Sequence, residues 1–242
     1  MSLPKILAAA LLLLSAAPVL AIDEAKTDIK NAADAETEQQ SRLMQAQKLI
    51  AAGNHAEAIA LIDKTIAYYE ARFPEGETRW YIGRTVEETL IYMSMAAVSG
   101  DQADSKISAQ AINVAWADAY FLKGYAYIEL NQAAEAKVML LKALKLSPQN
   151  ASFLIELAEV AKLQRNWDES YKYYVEAESA SAFSPSDAKA SDLSHAKRGQ
   201  AFVFIEQGKL DEAEKVLKAC LKLDKNDQRA KEELEYIKKL RK

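Results

Sequence analysis

Residues 117–150 read ADAYFLKGYAYIELNQAAEAKVMLLKALKLSPQN. Apolar residues recur there at three- and four-residue spacing on either side of Asn131-Gln132. That spacing predicts two amphipathic helices. Asn131-Gln132 and Ser147-Pro148 are breakers, so the stretch reads as helix, turn, helix, stop. The breaker and the acidic-Ala step after it recur along the chain. They appear as GNHAEA at 53–58, NQAAEA at 131–136, RNWDES at 165–170 and GKLDEA at 208–213. Two of the helices that follow end in similar words, ALKLSPQN at 143–150 and CLKLDKND at 220–227. Self-similarity at a fixed period points to a repeat array, in which each unit buries its apolar face on its neighbours.

Composition agrees with an all-helical chain. Of 242 residues 44 are Ala, while Gly numbers 7 and Pro 5. So few turn residues exclude a turn-dense β-sandwich, and half the residues are hydrophobic, which excludes a mainly disordered chain. The net charge of −4 carries no basic stripe, so nucleic-acid binding has no electrostatic footprint. The basic tail Lys238, Lys239, Arg241, Lys242 reads as cations at a helix C-terminus.

The 117–150 stretch resembles a tetratricopeptide repeat, a helix–turn–helix unit of 34 residues. The resemblance rests on small or defined residues at positions 8, 20, 27 and 32, here Gly124, Ala136, Ala143 and Pro148, with Tyr120 and Tyr127 at positions 4 and 11. The steric reason is close approach. Positions 8 and 20 meet where the two helices of a unit cross, and position 27 meets the next unit. Residues 39–72 put Ala46, Ala58 and Thr65 at the three small positions. Residues 151–184 put Ala158, Ser170 and Ala177 there, and residues 194–227 put Ala201, Ala213 and Cys220, with Lys225 replacing the proline. Cys220, the single cysteine, is therefore expected as a small buried hydrophobe. Residues 73–116 fit poorly: phased on Gly100 they offer Met93, Ser105 and Ile112, with a first helix over about 78–98. That stretch is expected to be a divergent helical repeat. The longest loop is expected between Val175 and Asp192. The expectation is an all-α, tetratricopeptide-like solenoid of about five helix pairs. A C-terminal helix with Ala230, Leu234, Ile237 and Leu240 on one face would cap it.

Residues 1–21 read as a cleavable export signal: Lys5, an apolar run over 6–20, Ala21 at the cleavage position, then Asp23-Glu24. Pro18 and the short apolar core argue against a membrane span. Residues 22–36 read as a polar linker or a frayed helix, and residues 37–242 as the repeat domain. The mature chain is expected in the periplasm; secretion, or anchoring by an uncleaved signal, is the alternative.

No catalytic constellation emerges. His55 and His195 are far apart, no metal-ligand spacing or glycine-rich phosphate loop occurs, and no cofactor is implied. The pairs Glu87-Glu88 and Glu232-Glu233 read as solvated helix faces. Asn150-Ala151-Ser152 matches a glycosylation pattern without further support. The resemblance implies instead a non-catalytic module that docks a partner segment on the concave face, lined by first helices at positions 2, 5, 9 and 12. Those positions hold Phe121, Tyr125 and Ile128 in one unit, and His195, Arg198, Phe202 and Ile205 in another. The Lys and Asn that clamp a C-terminal carboxylate in some members are missing at positions 5 and 9. The expected groove is apolar and aromatic, for an amphipathic helix or extended peptide. The alternatives are a small apolar ligand, or closure of these aromatics by the array's own helices.

Overall fold

Four of the chain's turns are built alike, and they set the register of everything else. The computed structural model describes residues 17–74, 76, 78–100 and 108–242. Its elements are α1 (Ala17–Ala51), α2 (His55–Arg72), β1 (Thr78–Ile82), α3 (Val86–Gly100), β2 (Ser108–Ile112), α4 (Trp116–Glu129), α5 (Ala133–Leu146), α6 (Ala151–Leu163), α7 (Trp167–Ala180), a 3-10 turn (Ser181–Phe183), α8 (Lys189–Glu206), α9 (Leu210–Leu223) and α10 (Gln228–Leu240). The turns α1–α2, α4–α5, α6–α7 and α8–α9 each hinge on one left-handed residue: Gly53 (φ 78°), Asn131 (φ 57°), Arg165 (φ 56°) and Gly208 (φ 74°). The amide after each reaches back five residues, as from Asn54 to the Leu49 carbonyl and from Asn166 to the Ala161 carbonyl. These bonds satisfy carbonyls that a helix end leaves open.

Arg165 is the misfit among these four, because its Cβ crowds the following carbonyl in that conformation. Its side chain is exposed and holds nothing in place. Arg165→Gly is therefore expected to raise stability by about 0.5 kcal/mol, the relief of strain exceeding the added chain entropy of glycine. A shift of the urea midpoint to higher concentration at unchanged slope measures it.

The chain divides into two units, Met1–Ser41 and Arg42–Lys242. Helix α1 supplies the described residues of the first and, from Arg42 on, the opening helix of the second. Residues 22–36 are helical, the second of the two readings offered by the sequence. No Gly or Pro interrupts residues 19–52, and Ala, Glu, Lys and Gln there are good helix formers. The export signal expected at 1–21 falls largely on residues 1–16, outside the described residues.

Within the second unit the expected small positions outside 73–116 are buried, whereas Met93, expected at one in that stretch, is exposed. Ala46, Ala158 and Ala201 at position 8, Ala58, Ala136, Ser170 and Ala213 at position 20, and Thr65, Ala143, Ala177 and Cys220 at position 27 are each 0% exposed. Gly124 shows why: a Cβ there would lie 2.8 Å from Leu140 Cγ and 3.3 Å from the Ala136 carbonyl. The four helix pairs α1–α2, α4–α5, α6–α7 and α8–α9 share a core that passes from neighbour to neighbour. Helix α10 covers the last pair with Ala230 and Ile237, while Leu240 is exposed.

Residues 73–116 correct the sequence reading. Their described residues form not a fifth helix pair but a β–α–β insertion, so among the described residues the array has four pairs and a cap. Strands β1 and β2 pair in parallel, Thr78 opposite Ser108 and Ile82 opposite Ile112. The sequence TRWYI is aromatic and β-branched and ends at Gly83, which suits a strand. The insertion is fastened to the turn between α5 and α6: the Ser147 hydroxyl donates to the Ile82 carbonyl, and the Gln149 amide to the Tyr92 hydroxyl at 3.2 Å. Tyr92 is fully buried and stacks on Tyr81 at 5.7 Å. Glu88, read as solvated, is also fully buried, whereas Glu87 is exposed. The loop expected at Val175–Asp192 is shorter than read, because α7 runs to Ala180 and α8 starts at Lys189. Asn150 is 2% exposed and its side chain accepts the Ser152 and Phe153 amides as the cap of α6, so the folded chain offers no acceptor for a glycan.

Candidate functional site

The first helices α6 and α8 stand beside α10, and between them lies an open cleft of about 780 Å³. Helical geometry decides what faces it. At about 100° per residue, positions 5 and 12 lie only about 60° and 40° around the helix from the buried position 8, whereas position 9 lies about 100° away. Positions 5 and 12 therefore lean into the core and position 9 leans out.

The expected site residues divide on this line. Ile205, at position 12, is 7% exposed and packs with Leu217 and Ile237. Ile128 packs against Leu140, Leu157 and Val160. Phe121, at position 5, stacks on Phe153 of α6 with centroids 5.0 Å apart. All three pack between successive units; Ile205 is removed from the expected groove surface, whereas Phe121 and Ile128 are only partly buried. Tyr125 and Phe202, both at position 9, remain accessible. Tyr125 faces a shallow recess of about 370 Å³ with Gln47 and Ile50 of α1. Phe202 lines the main cleft, with Lys162 Nζ 4.8 Å from its ring centroid. Arg198 also borders the cleft, but its guanidinium is tied to Asp227 at 2.6 Å. Asp227 in turn caps α10 through the Ala230 amide at 3.1 Å. Arg198 thus fastens the cap helix to α8. Tyr125 and Phe202 share the first-helix face without sharing one pocket.

The cleft is charged rather than apolar. Glu156, Glu159, Glu206, Glu232 and Glu233 line it against Lys162, Arg198, Arg229 and His195. Burial pushes the Glu156 carboxyl above its ordinary value, with the Glu159 charge adding to it. Burial likewise raises Glu233. Glu159 goes the other way. Burial opposes its charge, yet hydrogen bonds from His195, Lys162 and Tyr174, with the Lys162 charge, together hold it at about 2. The Tyr174 ring is fully buried and its hydroxyl donates to Glu159 Oε1, which links the cleft floor to the core.

That link gives a pH dependence. The Glu159 pKa of about 2 lies below its ordinary 4.5. Its stabilising contribution is therefore complete above pH 4.5 and is lost as pH falls toward 2. Thermal melts are expected to drop over that window. Glu159→Gln is expected to start lower at neutral pH and to lose less on acidification.

Sequence reasoning missed the share of α10, which it read as a cap alone. Arg229, Glu232, Glu233 and Tyr236 face the cleft, and each lies one 34-residue period after His195, Arg198, Gly199 and Phe202. Counting one period onward from the last unit was the available signal. Gly199 was missed too, and none of the family's small positions falls on it.

Comparison with known proteins agrees with this geometry. The tetratricopeptide repeat model matches residues 117–150 and 199–227. Those two stretches carry the tetratricopeptide repeat pattern. No curated protein sequence matches it. Among solved structures it is similar to pilF of Pseudomonas aeruginosa, at 14% identity over 84% of this chain and 69% of that one, with a TM-score of 0.56. It is similar to the MamA RS-1 ArsTM double mutant at 11% identity over 84% of each chain, with a TM-score of 0.51. The first repeat domain of Spaghetti (RPAP3), bound to the HSP90 peptide SRMEEVD, matches 51% of this chain and 91% of that one at 19% identity and a TM-score of 0.44. The first two likenesses support the all-α repeat fold. Among the described residues no helix is long and apolar enough to cross a membrane.

Proposed function

We propose that the protein is a non-catalytic interaction module of the cell envelope that docks a segment of a partner protein on the first-helix face. The observation that carries this reading is the cleft between α6, α8 and α10, open and lined at the repeat period by Phe202 and Tyr236. Two rings among opposed charges suit a segment with an apolar anchor and flanking charges of both signs. A small apolar ligand is disfavoured here because it would strip water from charged groups without replacing it. The export signal read at residues 1–21 supports an envelope, periplasmic location, with the mature chain starting near Ile22.

Aromatic residues in such clefts dominate binding energy more often than their neighbours do. Tyr125→Ala and Phe202→Ala are expected to weaken partner capture by at least about 1 kcal/mol each, with helical circular dichroism and cooperative melting retained. A crosslinking pull-down from envelope extract beside melting curves reads both quantities, and intact mass of the purified chain reads its N-terminus. Unchanged capture at unchanged stability removes the binding face from these rings. An uncleaved N-terminus in a membrane pellet removes the export reading.

A further inference from the structure

The carboxylates of the first-helix cleft are not matched by the cations that line it. Lys162 is paired with Glu159 on its own helix, and Arg198 is held by Asp227 at 2.6 Å. Glu156 on α6 and Glu233 on α10 lie in the same lining. Burial pushes both carboxyls up, with the charge of Glu159 adding to the first and that of Glu232 to the second. Lys162 draws both down, and His195 the first, without offsetting this. A further cation entering the cleft would stabilise both ionised forms.

The rings give a second, independent sign. The cleft already holds one ammonium between a carboxylate and a ring face: Lys162 Nζ is bound to Glu159 and lies 4.8 Å from the Phe202 centroid. Tyr236 follows Phe202 by one 34-residue period and is 48% exposed. The counterpart of Lys162 one unit on, at position 12, is Ile205, which is apolar and turned into the core. The ring therefore recurs while its cation does not, and Glu206 and Glu233 stand in the lining with it.

We propose that the segment docked in this cleft is basic beside its apolar anchor, and that it presents lysine or arginine side chains to the Tyr236 ring and to the carboxylates of Glu156 and Glu233. This rests on the docking reading above and fixes the sign of the charge next to the anchor. A cation over a ring face is attracted by the ring's quadrupole. A carboxylate adds charge-assisted hydrogen bonds, stronger than neutral ones. Arginine suits both at once, because its flat guanidinium stacks and also donates in a fork. An acid further along the segment can meet Arg229, exposed near the start of α10.

Panning a library of random short peptides on the full chain, with the folded Phe202→Ala/Tyr236→Ala variant as counter-selection, tests it. Peptides that prefer wild type are expected to carry Lys or Arg beside an apolar residue. The tightest of them, remade with each Lys and Arg as Gln, is expected to bind at least about tenfold more weakly, as for loss of a charge-assisted hydrogen bond. Glu156→Gln/Glu233→Gln is expected to lose at least about tenfold for the basic peptide and little for its Gln version. Melting of that variant is expected to be unchanged or raised, because burial already disfavours both charges. Wild-type-preferring peptides that are acidic or uncharged overturn the inference and leave the docking reading standing. So does equal binding of the basic peptide and its Gln version, or wild-type affinity of the basic peptide for the folded glutamine variant. No peptide that prefers wild type removes the docking reading and the inference with it.

Discussion

Gly199→Ala is expected to destabilise the protein by about 3 kcal/mol, the upper end of the range for overpacking a tight core. A Cβ at residue 199 would sit 2.2 Å from Tyr174 Cε1 and 2.3 Å from its Cζ. The obstacle is a rigid ring, fully buried between α7 and α8, and it cannot swing aside as a flexible chain end would. Its hydroxyl is bound to Glu159, and Gln200 Nε2 donates to its backbone carbonyl at 3.4 Å. Displacing the ring therefore also withdraws one of the hydrogen bonds that hold Glu159 ionised. Urea denaturation should show the lower midpoint, and the acid sensitivity of the variant should begin at a higher pH than in wild type. Wild-type stability in this variant would mean that α7 and α8 are not packed as described.

Glu88→Ala is expected to cost about 3 kcal/mol, the lower end of the range for breaking a buried ion pair. The Glu88 side chain is 0% exposed and its Arg84 partner 22%. The carboxylate accepts the Arg84 backbone amide at 2.7 Å, Arg84 Nε at 3.1 Å and Arg84 Nη2 at 2.5 Å. Removing it leaves a guanidinium and an amide without their acceptor at the hinge between β1 and α3. The lower end applies because the guanidinium retains some water. Replacing both partners by apolar residues, Arg84→Met with Glu88→Leu, is expected to recover much of the loss, since no charge is then left unpaired. A double-mutant cycle in urea measures this recovery.

The fold was legible where the close-approach positions carry small residues. Gly124, Ala136 and Ala143 phased the 117–150 unit, and the same phase placed Cys220 in the core, where it is 0% exposed. The insertion was not legible, because TRWYI spans five residues and a short apolar run reads equally as a strand or a turn and a half of helix. Glu88 misled for a related reason: an acidic pair at the start of a helix looks solvated until the partner that folds back onto it, Arg84, is seen. That Tyr125 and Phe202 stay accessible was legible from position 9. The packing of Ile205, Ile128 and Phe121 between units was not legible, because the family's contact positions include two that lie within about 60° of the core-facing residue. Those two positions pack between units where they are apolar, as at Phe121, Ile128 and Ile205, and border the cleft where they are charged, as at Lys162 and Arg198. The α10 half of the cleft was hidden by reading that helix only as a lid on the last pair.

The central claim is that a partner segment lies along the first-helix face. Site-specific photocrosslinkers at Phe202 and Tyr236, compared with crosslinkers at Val138 and Leu141 on the exposed side of α5, test it most directly. The account predicts adducts from both cleft positions that mass spectrometry maps to one contiguous segment of one partner, and none of that segment from the α5 positions. Adducts to that segment from Val138 or Leu141, with none from Phe202 and Tyr236, would contradict it.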